Sequence, residues 1–138
     1  MSTTTLTPQE LVRVNAELGK DAAALVRWAL SLGQTSIVTT NFRPFEAVIL
    51  HLVSQVQPDV PVVWMDNGYN TEATYRFADE VKRQLGLNLQ IYLPRRSRAH
   101  REAVEGATPA LDDPRHAAFT EEVKLEPFAR ALRETQPR

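Results

Sequence analysis

The stretch Val60–Tyr75 constrains the fold more strongly than any other part of the chain. Its first part, Val60–Met65, is apolar throughout and fits a strand that is buried on both faces of a parallel sheet. Asp66–Gly68 then supply the polar residues and the glycine of a turn, and Thr71 can cap the helix that follows. A buried strand that ends in a polar turn and continues into a helix is the unit from which α/β proteins are built.

The same alternation extends to both sides of this stretch. The β-branched run Ser36–Thr40 predicts an earlier strand, and Phe45–Val56 shows the wide apolar face of a helix that lies on a sheet. Thr71–Leu85 predicts a further helix, and Leu87–Leu93 alternates as a third strand. This order predicts an α/β fold in three layers, in which an open parallel sheet carries helices on both faces.

The remaining segments are expected to add helices but no second domain. Residues 1–33 show helical apolar spacing, and residues 121–135 predict a final helix. The strand–helix core occupies residues 35–93, whereas residues 94–120 carry glycines, prolines and clustered arginines and are expected to be irregular. Because no repeat or linker interrupts the pattern, we expect one domain over residues 1–138.

Composition limits the partners and the chemistry. The formal net charge of -1 gives no global field that favours nucleic acid or a membrane surface. No apolar run approaches the roughly 20 residues that cross a bilayer, and Met1–Pro8 lacks the features of a secretory signal, so a cytoplasmic location is expected. The chain has no cysteine, and its three histidines lack metal-ligand spacing, so we expect no metal, iron–sulfur cluster or other cofactor.

The ends of the three predicted strands carry the candidate binding residues. They are Thr39, Thr40, Asn41, Phe42 and Arg43 after the first strand, Asp66, Asn67 and Gly68 after the second, and Arg95 and Arg96 after the third. Parallel strands end at one edge of a sheet, where ligands bind in open α/β folds. The first loop precedes a helix N-terminus, which favours a phosphate or sulfate. A carboxylate can accept from a ribose hydroxyl, and arginine forks match phosphate oxygens.

Each loop also has a purely structural interpretation. The first can be an ordinary helix cap, since Arg43 replaces a flexible residue and Pro44 removes an N–H donor. Asp66 and Asn67 can form an Asx turn, and the basic cluster Arg95–Arg101 can be a solvated loop. The local patterns leave both interpretations open.

Four segments carry a family resemblance in matching order and spacing between residues 35 and 134. They are Thr39–Phe42 with Glu46–Leu52, Pro58–Tyr69, Glu72–Asp79 with Leu87–Tyr92, and Lys124–Leu132. The chain resembles the phosphoadenosine-phosphosulfate reductase family, a branch of the adenine nucleotide α-hydrolase-like (PP-loop) fold. The resemblance implies a domain of sulfate assimilation that binds a sulfonucleotide or another adenine nucleotide. It implies that the first loop holds sulfate and phosphate, and that Asp66–Tyr69 lie near adenine and ribose.

The resemblance also implies chemistry for which this chain lacks the residues. Family enzymes attack the sulfonate sulfur with a cysteine of a C-terminal tail, and thioredoxin or glutaredoxin supplies the electrons for sulfite release. That tail lies beyond the point matching Arg138, the glycine of the first loop is Arg43 here, and Phe119 and Thr120 stand where iron–sulfur members carry a cysteine pair. Because an S-sulfo intermediate needs a thiolate, we expect no catalytic residue and no independent reductase activity.

Three functions stay open on this evidence. The chain can be a reductase-like subunit that binds the sulfonucleotide while a partner supplies the cysteine. It can instead be a non-catalytic regulatory or assembly module that pairs with a full-length reductase or another partner, or a relic without a ligand. Three parallel strands leave an open edge that invites pairing, so we expect a homodimer or a stable hetero-complex that covers it.

Overall fold

The computed structural model describes residues 6–32 and 35–137 as seven α-helices, one π-helical turn and three strands. The helices are α1 (Pro8–Leu18), α2 (Ala22–Leu30), α3 (Glu46–Val56), α4 (Glu72–Leu85), α5 (Arg98–Glu105), α6 (His116–Thr120), the π-helical turn (Glu121–Leu125) and α7 (Glu126–Thr135). The strands are β1 (Val38–Thr40), β2 (Pro61–Met65) and β3 (Asn88–Tyr92). Residues 1–5 and 33 of the expected N-terminal helical segment lie outside the described residues.

Local side chains fix where several helices begin and end. Thr7 accepts a hydrogen bond from the Glu10 N–H (3.2 Å), and the Glu10 carboxylate accepts one from the Thr7 N–H (2.7 Å). This reciprocal pair satisfies two donors that have no partner in the first turn of α1. Thr71 caps α4 by accepting a hydrogen bond from the Thr74 N–H (3.2 Å). Gly86 ends α4 in the left-handed conformation, with φ +61°, that glycine adopts without a steric penalty.

The strands form one parallel sheet in the order β1-β2-β3, with helices on both faces. Alternate residues of the central strand point to opposite faces. Trp64 therefore packs with Leu50 of α3 and Ala78 of α4, whereas Val63 packs with Ala131 of α7. Val63 is fully buried, and such burial of a valine side chain contributes roughly 1.5–3 kcal/mol. The expected three-layer α/β fold is confirmed.

The structure corrects the expectation that residues 94–120 are irregular. Helix α5 begins after Ser97, whose hydroxyl accepts a hydrogen bond from the His100 N–H (3.2 Å), and α6 begins at His116. The final helical run therefore starts earlier than residue 121 and continues through the π-helical turn into α7. In this arrangement Arg96 contacts Glu122 of the π-helical turn, and Arg101 packs on Phe119 of α6.

The sheet has open edges at β1 and β3 among the described residues. On the β3 side, Ile91 is 49% exposed and Leu93, just after the strand, is 53% exposed. A partner that covers this edge stays a prediction. In the described ranges, every helix is too short or too polar to cross a membrane.

Candidate functional site

The loop after β1 is held together by a carboxylate of the chain itself. The Thr40 hydroxyl donates to Oε2 of Glu46 (2.7 Å), and the Asn41 N–H donates to the same oxygen (2.7 Å). Burial of Glu46 favours its neutral form, but the hydrogen bonds from Thr40 and Asn41, with Arg43 close by, hold the pKa of this carboxyl below its usual value. The Glu46 carboxylate therefore accepts hydrogen bonds from the groups that the sequence predicts to bind a phosphate or sulfate.

Phe42 anchors the same loop in an unusual backbone conformation. Its φ of 53° lies in the left-handed region, which a residue with a Cβ adopts at a cost of roughly 1–2 kcal/mol. Its N–H donates to the Thr40 hydroxyl (2.9 Å), and its ring packs edge-on against Trp64 with centroids 5.0 Å apart. The side chain is 3% exposed, so packing offsets the strain. The next residue, Arg43, is exposed to solvent.

The loop after β2 forms the Asx turn that its sequence allows. Oδ1 of Asp66 accepts hydrogen bonds from the Gly68 N–H (3.0 Å), the Asn70 amide (3.0 Å) and the Tyr75 hydroxyl (2.8 Å). Burial and then the hydrogen bond to Asp66 raise the pKa of Tyr75, so its proton stays in place as the donor. Within residues 6–32 and 35–137, Oδ2 of Asp66 accepts no hydrogen bond, which leaves that oxygen for a ligand.

Tyr69 connects this loop to α5 and α6. Its N–H donates to Oδ1 of Asn67 (2.8 Å), and its hydroxyl accepts a hydrogen bond from Nε of Arg101 (2.8 Å). The Arg98 guanidinium lies 4.8 Å from the ring centroid of Tyr69, and the Phe119 ring packs edge-on at 5.5 Å. Cation–π and aromatic contacts of this kind orient the ring. Contacts with α5 and α6 therefore hold the second loop in place.

The arginines after β3 are paired with carboxylates of the C-terminal part of the chain. Arg96 donates to both oxygens of Glu122 (2.6 Å each) and also pairs with Glu105. These hydrogen bonds raise the pKa of Arg96 above its ordinary value. Arg95 is 74% exposed at its side chain, and its Nε lies 3.3 Å from Oε1 of Glu126. Both arginines thus point their guanidinium groups to these carboxylates and not to the first two loops.

A cleft of about 330 Å³ lies between the first two loops and the π-helical turn. Its lining comprises Asn41, Phe42, Arg43, Pro44, Met65, Asn67, Asn70, Thr74 and Lys124. Of the described residues that line it, two are cationic and none is a carboxylate, although the chain as a whole carries a formal charge of -1. A volume of this size is at the lower end of the range of about 300–1,000 Å³ typical of small-molecule sites. The cleft is therefore electrostatically suited to an anion.

Comparison with known proteins identifies the family. The family model "Phosphoadenosine phosphosulfate reductase domain" matches residues 30–138. The chain belongs to this family. A phosphoadenosine 5'-phosphosulfate reductase from Synechococcus sp. is 40% identical over 129 residues, which are 90% of this chain and 55% of the relative. Another, from Xanthomonas euvesicatoria pv. vesicatoria, is 40% identical over 129 residues, 92% of this chain and 54% of the relative. The chain thus spans about half the length of the curated relatives it matches.

A solved structure shows the same fold. The crystal structure of phosphoadenylyl-sulfate (PAPS) reductase from Candida auris, a phosphate complex, superposes with a TM-score of 0.79 and 24% sequence identity. The superposition covers 98% of this chain and 66% of that chain. At this identity the likeness establishes the fold, and the family assignment rests on the sequence matches. Together they confirm the resemblance to the phosphoadenosine phosphosulfate reductase family.

The ten predicted site residues of this family member fall into three groups. Asn41, Phe42, Arg43 and Asn67 line the cleft. Thr40, Asp66 and Gly68 are not lining residues, but they shape the two loops beside the cleft through hydrogen bonds. Thr39, Arg95 and Arg96 do not line the cleft, and Arg96 lines a different cavity. Contact of any of the ten with a ligand stays a prediction.

Some cleft residues were not predicted from the strand ends. They are Pro44, Met65, Asn70, Thr74 and Lys124. Lys124 is the most informative of them because it adds the second positive charge from the far end of the chain. The only signal for it is its place as the first residue of the family-like segment Lys124–Leu132. Its position in the cleft depends on the π-helical turn, which the apolar spacing does not reveal.

The cleft offers binding groups but no reducing nucleophile. The chain contains no cysteine, so no thiolate can attack a sulfonate sulfur. Among the described residues, no group of three or more His, Asp or Glu side chains could hold a metal ion. That the protein works without a cofactor stays a prediction. The groups that line the cleft can recognise an anion by charge and by amide hydrogen bonds.

Proposed function

We propose that this chain is a nucleotide-binding domain of sulfate assimilation whose cleft takes the charged end of a sulfated adenine nucleotide. The observation that carries the proposal is the convergence of Arg43 and Lys124 on one cleft whose described lining holds no carboxylate. The two residues lie about 80 positions apart in the sequence, yet both line the cleft where the parallel strands end. Open α/β sheets bind ligands at this edge.

Side-chain cations, rather than loop amides, bind the anion in this proposal. Glu46 occupies the Thr40 hydroxyl and the Asn41 N–H, which are donors that a phosphate or sulfate would otherwise use. Arg43 replaces them with a planar fork that can meet two oxygens at once, and Lys124 adds a point charge. In this proposal Arg43 therefore contacts the anion directly instead of blocking the site.

The second loop is the proposed contact for the nucleoside. Among the described residues Oδ2 of Asp66 accepts no hydrogen bond, so it can accept one from a ribose hydroxyl or a base amine, while Oδ1 holds the turn. Asn67 and Asn70 add amide groups to the lining, and Met65 adds a polarisable apolar surface that fits a flat ring. These groups give the cleft a charged end and a nucleoside end.

Binding without turnover follows from the lack of a thiol. Reduction of the bound sulfonate would require a cysteine thiolate from outside residues 1–138, because these residues contain none. A second candidate function, an assembly module for a larger reductase, is favoured by the half-exposed Ile91 and Leu93 beside the open edge of β3. The two functions are compatible, because the cleft and this edge use different residues.

Isothermal titration calorimetry tests the proposal. Wild-type protein should bind adenosine 5′-phosphosulfate or its 3′-phosphorylated form. Lys124→Met should weaken binding about tenfold or more, because one charge-assisted contact contributes about 1.5–3 kcal/mol. Lys82→Met, which removes the same charge from an exposed position on α4 outside the cleft lining, should bind like wild type. No heat with either sulfonucleotide or with adenosine 3′,5′-bisphosphate would refute nucleotide binding.

A further inference from the structure

A second cavity, separate from the cleft, lies between α5, α6 and the segment that joins them. Its volume is about 500 Å³. The residues around it are Arg96, Arg101, Val104, Glu105, Ala107, Pro109, Arg115, Ala118, Phe119 and Glu122. None of these residues lines the cleft. The cavity thus combines an apolar wall with three arginines, and it stands apart from the proposed nucleotide site.

Arg101 is the unusual residue of this cavity. Its side chain is only 3% exposed, and its guanidinium lies 4.6 Å from the ring centroid of Phe119 and 5.5 Å from that of Tyr69. Nε donates to the Tyr69 hydroxyl. Nη2 is buried and, among the described residues, has no hydrogen-bond partner. Burial of a charged group costs free energy when one of its hydrogen-bond donors has no acceptor, and a bound acceptor removes that cost.

The carboxylates of the cavity do not complete Arg101. Both oxygens of Glu122 accept from Arg96, and Oε1 of Glu105 also pairs with Arg96. The other oxygen of Glu105 lies 3.9 Å from Nη1 of Arg101, which is beyond hydrogen-bond distance. Both carboxylates thus pair with Arg96, and within the described part of the chain Nη2 of Arg101 is left without an acceptor.

Arg115 supplies a second cation to the cavity lining. Its side chain is 67% exposed and pairs with the carboxylate of Asp113 at 2.6 Å. Nη1 of Arg115 lies 3.5 Å from the carbonyl oxygen of Glu105, at the limit of a hydrogen bond. Nε and Nη2 of Arg115 both donate to the Asp113 carboxylate, so that pair stays in place. Nη1 makes only the long contact with Glu105, so it is the donor that an anion in the cavity can reach.

We propose that this cavity binds a small organic oxyanion, with Arg101 and Arg115 at the oxyanion group. A carboxylate or phosphate ester supplies the acceptor that Nη2 of Arg101 lacks. The apolar wall, formed by Val104, Pro109 and Phe119 with two alanines, packs against the body of the ligand. The ligand class is therefore an anionic group on a compact apolar or aromatic body.

Phenyl phosphate, compared with inorganic phosphate and phenol, tests the site. Binding is followed by ¹H–¹⁵N NMR at the Phe119 amide and at the Arg101 side-chain Nε–H. Phenyl phosphate should bind at least tenfold more tightly than either half-molecule and should shift both signals. If phenol binds as tightly, the cavity recognises only an apolar body. If none of the probes shifts these signals, the cavity holds water only. Either result would overturn the proposal.

Two exposed positions provide variants that leave the core intact. Val104→Glu places a carboxylate on the cavity wall at a residue that is 67% exposed, and it should weaken phenyl phosphate binding at least tenfold. Leu111→Glu adds the same charge outside the lining, at 88% exposure, and should leave binding unchanged. Lys124→Met should also leave it unchanged. Loss of binding in Lys124→Met would instead assign the probe to the cleft and overturn the proposal.

Discussion

Replacement of Glu46 by alanine gives the sharpest test of how the first loop is built. The variant loses two hydrogen bonds to a charged acceptor, from the Thr40 hydroxyl and the Asn41 N–H. Such bonds contribute up to about 1.5–3 kcal/mol each, and the half-buried position of Glu46 reduces this, so we expect a loss of about 2 kcal/mol. At roughly 3 °C per kcal/mol for a domain of this size, Tm should fall by about 6 °C.

The effect should depend on pH in a direction fixed by the pKa of Glu46. Its pKa in the folded protein is lowered from the model-peptide range, so the carboxylate stabilises the fold fully above the unfolded pKa of about 4.3. This contribution disappears as pH falls through the lower, folded pKa. The difference in stability between wild type and Glu46→Ala should therefore be constant near pH 7 and shrink in acid.

Urea unfolding at a series of pH values, with and without sulfate, measures both effects. Sulfate should stabilise Glu46→Ala more than wild type, because the variant frees the Thr40 and Asn41 donors. Glu72→Ala is the matched control, since Glu72 also lies in the first turn of a helix but is 77% exposed and pairs with the exposed Arg76. Equal stability of the two variants, with parallel pH profiles, would contradict the role given to Glu46.

The remaining predictions concern the second loop, the core and assembly. Gly68→Ala should lose about 1 kcal/mol in urea unfolding, because a residue with a Cβ is strained at φ +80°; an unchanged midpoint would argue against this. Val63→Ala should lose about 2 kcal/mol by the same method, since its fully buried side chain joins β2 to α7; a loss below about 0.5 kcal/mol, typical of surface substitutions, would count against that packing. Sedimentation at tens of micromolar should show a dimer or larger species, and a monodisperse monomer would count against pairing through the β3 edge. A thioredoxin-coupled sulfite-release assay on the protein alone should give no product, and turnover would disprove the thiol argument.

The sheet could be predicted because its signals are local. The apolar run Val60–Met65 can only be buried, and the polar turn after it places the strand end. Once three such strands are parallel, their ends share one edge, and this brings Asn41 and Asn67 to one cleft as expected. These inferences needed only periodicity and the right-handed crossover rule.

The rest of the site depends on contacts between residues far apart in sequence. Arg96 is a plausible anion ligand until Glu105 and Glu122 are found beside it. The sequence suggests that Glu46 is an ordinary residue of the first turn of a helix. Only the structure shows that its carboxylate accepts a hydrogen bond from the loop that precedes the helix. Lys124 reaches the cleft through a π-helical turn, whose altered register no apolar pattern predicts.

The most direct test of the central claim is ¹H–¹⁵N NMR of the protein during titration with 3′-phosphoadenosine 5′-phosphosulfate. If the cleft binds the sulfonucleotide, the amides of Asn41, Arg43, Asn67 and Lys124 should shift together and saturate at one ligand per chain. The Gly86 amide, at the far end of α4, should stay in place. Saturating ligand that leaves the four cleft amides unmoved, or that shifts only residues elsewhere, would contradict the account.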